Sequence, residues 1–240
     1  MRKLLVALTV AGLAVAFGAA PGVAAGSGDL KKFCKTNLAI NKAFNSEQPD
    51  LEKVNRLLDT AAATAPAEIA DAVDIAVPAF KANPETAFED PAVAEAVGQI
   101  DEFAATSCDY KEIDVTLQDY AFDGVPDEIK TGTVAFTLTN EGTEFHEFHV
   151  LRLKKGVTED DLAEAHEDDL ADLGTTVAGG FAPPGETTYA VAQLKKTGNY
   201  AAVCHIPVGS TDDASAQAAE EAGAPSHASE GMVAEFEVAK

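Results

Sequence analysis

The hydrophobic period of the chain changes near residue 110, and this change limits the fold more than any other feature. Before it, apolar residues such as Leu51, Val54 and Leu58 recur at the spacing of one helix face. After it, apolar and polar residues alternate, as in residues 113–117 and 133–139, which is typical of half-buried strands. The sequence therefore predicts an α + β multidomain chain, in which a small N-terminal helical bundle precedes an antiparallel β-sandwich.

Four short helices are expected in the first region. They cover residues 30–44, a stretch after Asp50, a stretch from Ile69 to Phe80, and a stretch that follows Asp90. Asp90 is expected to be an N-cap with Pro91 at the first helical position, whereas Pro78 is expected to kink or shorten the third helix. Apolar stripes of this kind form cores, so the region provides neither a ligand nor a catalytic constellation.

Six strands with turn signals between them are expected in the second region, which is the pattern of a small β-sandwich. They cover residues 113–117, 133–139, 146–151, 187–191, 199–204 and 233–238. Two acidic insertions interrupt them. Residues 159–173 are expected to be helical, and residues 210–226, rich in Ala, Asp and Glu, are expected to form a loop.

The first 25 residues have the composition of a signal peptide. Arg2 and Lys3 precede an apolar run over residues 4–20, and small residues at 23–25 fit the cleavage rule. The run is short for a bilayer span, which needs about 20 residues. We therefore expect a helical domain over 26–110 and a sandwich domain over 111–240. We also expect export without membrane insertion, to an extracellular, cell-wall-associated or periplasmic location.

The charge of the chain is strongly negative. Seventeen Lys and Arg face 40 Asp and Glu, for a net charge of −23. Such a surface repels nucleic acid and anionic lipid, and it favours a basic partner or a high-salt medium. Carboxylates that merely keep the surface soluble explain the charge equally well, and the oligomeric state stays open.

Two of the three cysteines lie in the predicted helical region, and the third lies in the predicted strand region. Cys34 lies near the start of the first predicted helix and Cys108 at the end of the last. In an exported chain these two are expected to form a disulfide, worth on the order of 4 kcal/mol in the chain-entropy model. Cys204 is then left unpaired, and an odd cysteine in an exported protein requires an explanation.

The last hundred positions contain four residues that can bind a soft metal, in the order His146, Cys204, His227 and Met232. The chain has two methionines, and the other is the initiator. Two imidazoles, one thiolate and one weak thioether are the ligands of a blue-copper electron-transfer site.

The segments that carry these residues resemble the cupredoxins, the plastocyanin and azurin type of blue-copper domain. The matching segments are an Asn-x-Gly turn before His (140–146), Pro-Gly-Glu before a strand (184–186), Gly-x-Tyr-x-x-x-Cys (198–204), and His-x-x-x-Gly-Met before a final strand (227–238). The resemblance covers roughly residues 112–240. It implies a cupredoxin-like sandwich and one copper per chain, cycling between Cu(I) and Cu(II). The equatorial ligands would be His146, Cys204 and His227, and the axial ligand Met232.

The spacing of these ligands departs from the family in one place. Twenty-two residues separate Cys204 from His227, where the family pattern has only a few. The extra loop is expected either to bulge outward and leave the ligands in place, or to give a slacker site or an altered ligand. Its closure entropy adds less than about 2 kcal/mol, so length alone does not exclude the site.

The remaining histidines are not expected to bind the metal. His149 should point to the opposite sheet face from His146, and His205 should point away from Cys204. His166 lies in the acidic insertion and is most simply solvated.

Three functions are consistent with the sequence. The first is an electron carrier, not an enzyme, that exchanges electrons with a redox partner protein. The second is a copper storage or delivery protein. The third is a metal-free acidic interaction module, in which Cys204 is a small buried hydrophobic residue.

Overall fold

The computed structural model describes residues 28–44, 50–84, 86–166 and 169–240. The predicted signal peptide lies outside these ranges. Within them, no helix combines the length and the apolar character that a bilayer crossing would require.

Four helices form the N-terminal region, as predicted. Asp50 and Asp90 cap the second and fourth helices by accepting hydrogen bonds from the backbone N–H groups of Lys53 and Ala92, and Pro91 occupies the first turn of the fourth. Both caps satisfy N–H groups that have no partner inside a helix. The helices are α1 (Leu30–Phe44), α2 (Leu51–Thr64), α3 (Ala70–Ala82) and α4 (Pro91–Ser107).

Pro78 does not shorten the third helix, which runs four residues beyond it to Ala82. A proline inside a helix removes one backbone hydrogen bond. Buried Val73, Ala76 and Val77 on the same helix face hold α3 against its neighbours. Tertiary packing therefore outweighs the local cost of the proline.

The predicted disulfide between Cys34 and Cys108 is confirmed, with a Cα–Cα distance of 5.6 Å. It joins α1 to the C-terminal end of α4 and encloses the core of the bundle, which includes Phe33, Val54 and Leu58. Cys204 is the free cysteine of the described chain, and it is buried.

Two sheets pack face to face in the C-terminal region and form a β-sandwich. Phe136, Phe148, Tyr200 and Phe236 fill the space between them. The first sheet has the order β2-β1-β4-β9, the second has the order β3-β11-β10-β6-β7, and β5 pairs with β8 in a short ribbon. The strands are β1 (Lys111–Gln118), β2 (Ala121–Asp123), β3 (Glu128–Lys130), β4 (Gly132–Asn140), β5 (His146–Glu147), β6 (His149–Leu153), β7 (Gly174–Ala178), β8 (Phe181–Ala182), β9 (Thr187–Leu194), β10 (Gly198–Val203) and β11 (Val233–Ala239).

All six predicted strands are present, with two differences. The stretch 146–151 is divided at Phe148 into β5 and β6, because β5 turns away to pair with β8. Two pairings, β1 with β4 and β3 with β11, are parallel, so the sheets are mixed. The strands β2, β3, β7 and β8 have two to five residues, which is too short for a period to be recognised.

Helices cover the outer faces of both sheets. The bundle packs on the first sheet, where Ala105 of α4 contacts Ala135 and Val191. The first acidic insertion is helical, as expected, and it covers the second sheet through Leu162 and Leu170. Its helices are α5 (Glu159–Glu164) and α6 (Leu170–Leu173).

The expectation of a loop over 210–226 is wrong, because this insertion contains a helix, α7 (Asp213–Ala222). Asp212 and Ser215 form a reciprocal capping box at its start. Gly223 ends it in the left-handed conformation, with φ of 69°. The Ala and Glu content that suggested a loop is also that of a good helix former.

The fourth helix carries a carboxyl group in an apolar setting. Asp101 is half-buried, and burial raises its pKa to about 7 from an ordinary value of 3.8. The folded chain thus holds this proton more tightly than the unfolded chain does. The stability of the protein should fall as the pH rises from about 4 to about 7 and then level off.

We therefore expect Asp101→Asn to stabilise the protein above pH 7 and to have little effect near pH 4. At pH 8 the free energy of unfolding should rise by about 1–2 kcal/mol. This is well below what the whole pKa shift would give, because solvent screens a half-buried carboxylate. Denaturant unfolding of both proteins across this pH range measures it. The control is Glu102→Gln at the exposed neighbouring position. An equal effect of Asp101→Asn at pH 4 and pH 8 would contradict the assignment.

Candidate metal centre

Three of the four predicted ligands meet in one buried cluster. His146 begins β5, Cys204 directly follows β10, and His227 begins a 3₁₀ turn, His227–Glu230, just before β11. All three side chains are fully buried. Their ligand atoms lie within 4.8 Å of one another. We call these three residues the His-Cys-His cluster.

The two imidazoles turn the same ring atom towards the centre of the cluster. His146 Nδ1 lies 3.1 Å from His227 Nδ1, and Cys204 Sγ lies 3.4 Å from His227 Nδ1. The other ring nitrogens face carboxylates: His146 Nε2 lies 3.2 Å from Asp119 Oδ1, and His227 Nε2 lies 3.0 Å from Glu144 Oε2.

These contacts determine the tautomer of each ring. A carboxylate oxygen only accepts hydrogen bonds, so each Nε2 must carry the proton and donate it. Both Nδ1 atoms then present lone pairs to each other and to the thiol. Lone pairs that converge in a buried space fit a cation, and a carboxylate behind each imidazole is the arrangement that orients histidine ligands in metal sites.

Glu144 holds the second imidazole and the loop beside it together. Its carboxylate accepts hydrogen bonds from the Tyr120 hydroxyl at 2.9 Å, from His227 Nε2, and from the N–H groups of Gly209 and Ser210. Burial opposes its ionisation, but the hydrogen bonds from Tyr120, Gly209 and His227 lower its pKa below the ordinary value. Glu144 is therefore a buried carboxylate that stays charged.

Asp119 has the same role behind His146. It also accepts hydrogen bonds from the N–H and hydroxyl groups of Thr143 and from the Glu144 N–H group. Burial raises its pKa, but these bonds and the one to His146 outweigh it, so the net shift is downward. Gly142 makes this contact possible, because a Cβ atom there would lie 2.3 Å from Asp119 Oδ1 and 2.8 Å from His146 Nε2.

The three cluster residues are neutral in the metal-free protein. Burial, followed by repulsion from His227, lowers the pKa of His146 to about 4 against the opposing pull of Asp119. Burial also lowers the pKa of His227, although Glu144 opposes it. Burial, followed by the charge of Glu147, raises the pKa of the Cys204 thiol well above its ordinary value. A bound cation would replace the thiol proton.

Backbone contacts fix the sulfur and the fourth predicted ligand. The Glu147 N–H group lies 3.4 Å from Cys204 Sγ. The Cys204 N–H group donates to the Met232 carbonyl at 3.2 Å, and the Met232 N–H group donates to the His227 carbonyl at 2.9 Å. Met232 is thus tied to both residues and is fully buried. Its role as a ligand stays a prediction.

The long insertion between Cys204 and His227 is closed at its base. The N–H groups of His227 and Ala228 donate to the carbonyls of Ile206 and Cys204, at 2.9 and 2.7 Å, and Val208 bonds to Pro225. The chain leaves and re-enters the site at one place, and α7 lies beyond this closure. Of the two expectations for this loop, the structure favours the outward bulge, because the three residues of the His-Cys-His cluster remain together.

The other histidines lie outside the cluster. His205 donates through Nε2 to the Leu162 carbonyl at 3.0 Å, on the outer side of the sheet. His149 Nδ1 is 3.8 Å from Glu147 Oε1. The buried Nδ1 atoms of His149 and His205 have no hydrogen-bond partner among the described residues. His166 is exposed.

Asp119 and Glu144 are the site residues that sequence reasoning missed. Glu144 stands two positions before His146, and Asp119 follows a predicted strand. The sequence contains only a weak signal for Glu144. In an extended segment, a residue two positions before His146 lies on the same face as that histidine. Among 40 acidic residues, this signal did not distinguish them.

We expect Glu144→Gln to weaken metal binding by roughly 10–100-fold, which is typical for the loss of a group that orients a ligand. The amide cannot accept all the bonds that hold His227 and the loop. Competition with a chromophoric copper chelator measures the affinity. The matched control is Glu141→Gln, at an exposed position three residues earlier. Equal affinities for the two variants would show that Glu144 does not orient the site.

The chain resembles solved structures, but no related sequence was found for it. No protein-family model matches the chain, and no curated protein matches its sequence. Among solved structures, dithionite-reduced auracyanin from the photosynthetic bacterium Roseiflexus castenholzii is 17% identical, with a TM-score of 0.35 over 54% of this chain and 98% of auracyanin.

Rusticyanin from Thiobacillus ferrooxidans is 21% identical, with a TM-score of 0.31 over 54% of this chain and 78% of its own. A chain of a heme-copper terminal oxidase dimer is 16% identical, with a TM-score of 0.29 over 56% of this chain and 68% of its own. Likeness this remote says nothing about function. The matched part is the C-terminal half of the chain, which is a β-sandwich with a His-Cys-His cluster, and the N-terminal bundle has no match in these structures.

Proposed function

We propose that the sandwich domain binds one copper ion through His146, Cys204 and His227, with Met232 as a weak axial ligand, and that the protein carries single electrons. The observation that carries this proposal is the convergence of two Nδ1 lone pairs and one sulfur in a buried space, with a carboxylate behind each imidazole.

The ligand set favours copper over zinc. Structural zinc sites have four strong ligands, usually thiolates and imidazoles, and catalytic zinc sites add water to three. The cluster offers one cysteine sulfur and two imidazoles, and the thioether of Met232, five residues after His227, is also buried. Such a set suits both oxidation states of copper. When bound, copper would supply a one-electron couple.

The residues of the chain would hold the site in one geometry during electron transfer. Asp119 and Glu144 fix the two rings from behind, and the paired backbone of Cys204 and Met232 fixes the sulfur ligands. The Glu147 N–H group points at the sulfur and would stabilise the thiolate. Ligands that are already in place need little rearrangement when an electron arrives or leaves.

An electron carrier is favoured over an enzyme because the described residues contain one group of three or more potential metal ligands, the His-Cys-His cluster. An oxidase or reductase of this kind would need a further catalytic metal. The closed base of the long insertion favours a carrier over a copper storage or delivery protein, since it supports a firm rather than a slack site.

The proposal includes export and a protein redox partner. The leader sequence supports export, and a net charge of −23 supports a partner with a basic docking surface.

The test is a titration of the mature protein with Cu(II), followed by visible absorption and EPR spectroscopy. We expect an intense blue band that saturates at one copper per chain and is lost in Cys204→Ala and His227→Ala. The matched control is His166→Ala, which removes an exposed imidazole and should leave the band unchanged.

Each other result rejects the proposal in a defined way. Colourless binding of copper would indicate storage or delivery through an altered ligand set. Absence of binding would leave a metal-free interaction module on this fold. A blue band that survives Cys204→Ala would reject the ligand assignment.

A further inference from the structure

A second site lies between the bundle and the sandwich. A cavity of about 280 Å³ is lined by residues of α1, α2, α3, α4 and β9, and by Gly179. None of the four predicted copper ligands lines it. It is therefore distinct from the metal centre and does not depend on the proposed function.

The walls of the cavity are mainly apolar. Buried Leu58, Val73 and Val77 line it, together with the aromatic pair Phe44 and Phe80, whose ring centroids are 5.6 Å apart. Phe88 also lines the cavity, yet 37% of its surface is exposed to solvent. Phe88 thus marks a side of the cavity that a ligand could enter.

Two amide side chains and one carboxyl interrupt these walls, in addition to the hydroxyl-bearing ring of Tyr189. Asn37 and Asn41 come from α1, where Asn41 Nδ2 lies 3.5 Å from Asn37 Oδ1, and Asp101 comes from α4. Among the described residues, no Lys, Arg or His side chain lines the cavity. The charged side chain in this lining is therefore the carboxyl of Asp101.

The carboxyl of Asp101 is costly to ionise in these apolar surroundings. Burial raises its pKa to about 7, and within the part of the chain that the structure describes no hydrogen bond or neighbouring charge opposes this shift. Even a half-buried carboxylate in apolar surroundings is costly to ionise, and a cation within hydrogen-bonding distance lowers that cost. An apolar pocket with a few converging polar groups, one of them with a perturbed pKa, is the usual form of a small-molecule site.

We propose that this cavity binds a small, mainly apolar amine whose ammonium group pairs with Asp101. The volume lies just below the range of about 300–1,000 Å³ that is typical of ligand pockets, so the ligand has roughly a dozen non-hydrogen atoms. The aromatic walls favour an aryl group. The net charge of −23 raises the local concentration of cations and disfavours fatty acids and other carboxylates.

The test uses three naphthalene probes of similar size and different charge: 2-(1-naphthyl)ethylamine, 2-(1-naphthyl)ethanol and 1-naphthylacetate. Isothermal titration of the full mature chain at pH 8 and 0.5 M salt measures their binding, because this salt concentration suppresses weak attraction to the acidic surface. We expect the amine to bind at one per chain, at least tenfold more tightly than the alcohol, and the carboxylate not to bind.

Two variants test the location of the site. Asp101→Asn should abolish the preference for amine over alcohol, whereas its neighbour Glu102→Gln should keep it. Ala76→Phe, which places a large ring inside the cavity, should prevent binding of both probes. Circular dichroism establishes that each variant is folded.

Three outcomes would overturn the proposal. They are no saturable amine binding, equal affinity for amine and alcohol in the unaltered protein, and amine binding that persists in both Asp101→Asn and Ala76→Phe. The last would place the amine on the acidic surface.

Discussion

The interaction on which the metal centre most depends is the buried carboxylate of Glu144. It joins Tyr120 after β1, Gly209 and Ser210 within the long insertion, and the ring of His227, which directly follows that insertion. These segments are far apart in sequence. A buried charge is tolerated only when hydrogen bonds satisfy it, so the carboxylate draws all of them into one arrangement, and that arrangement points His227 Nδ1 at Cys204.

The rest of the site repeats this principle with other polar groups. Asp119 orients His146 while it holds the turn at Thr143, and the Asn140 side chain donates to the carbonyls of Glu144 and Ala182. Hydrogen-bonded polar side chains thus anchor the loops at this end of the sandwich, while the aromatic core fixes the sheets. The helices on the outer faces have a separate role, since one of them contributes the carboxyl of the apolar cavity.

Sequence reasoning succeeded where a residue's role follows from its local pattern. The alternation of 133–139 and 233–238 located β4 and β11, the Asp90–Pro91 pair located the start of α4, and the positions of Cys34 and Cys108 located the disulfide. It failed where the role depends on distant contacts. The parallel pairing of β1 with β4, the continuation of α3 past Pro78 and the carboxylates behind the imidazoles all follow from tertiary packing, which no local period encodes.

In the proposed site, His146, Cys204 and His227 hold one copper ion through two imidazole nitrogens and one thiolate. X-ray absorption at the copper edge of the loaded protein tests this most directly, because it reports the ligand atoms whether or not the site is coloured. We expect a copper shell with one strongly bound sulfur and two imidazole nitrogens, and loss of the sulfur in Cys204→Ser. A shell of nitrogen and oxygen ligands without sulfur would contradict it.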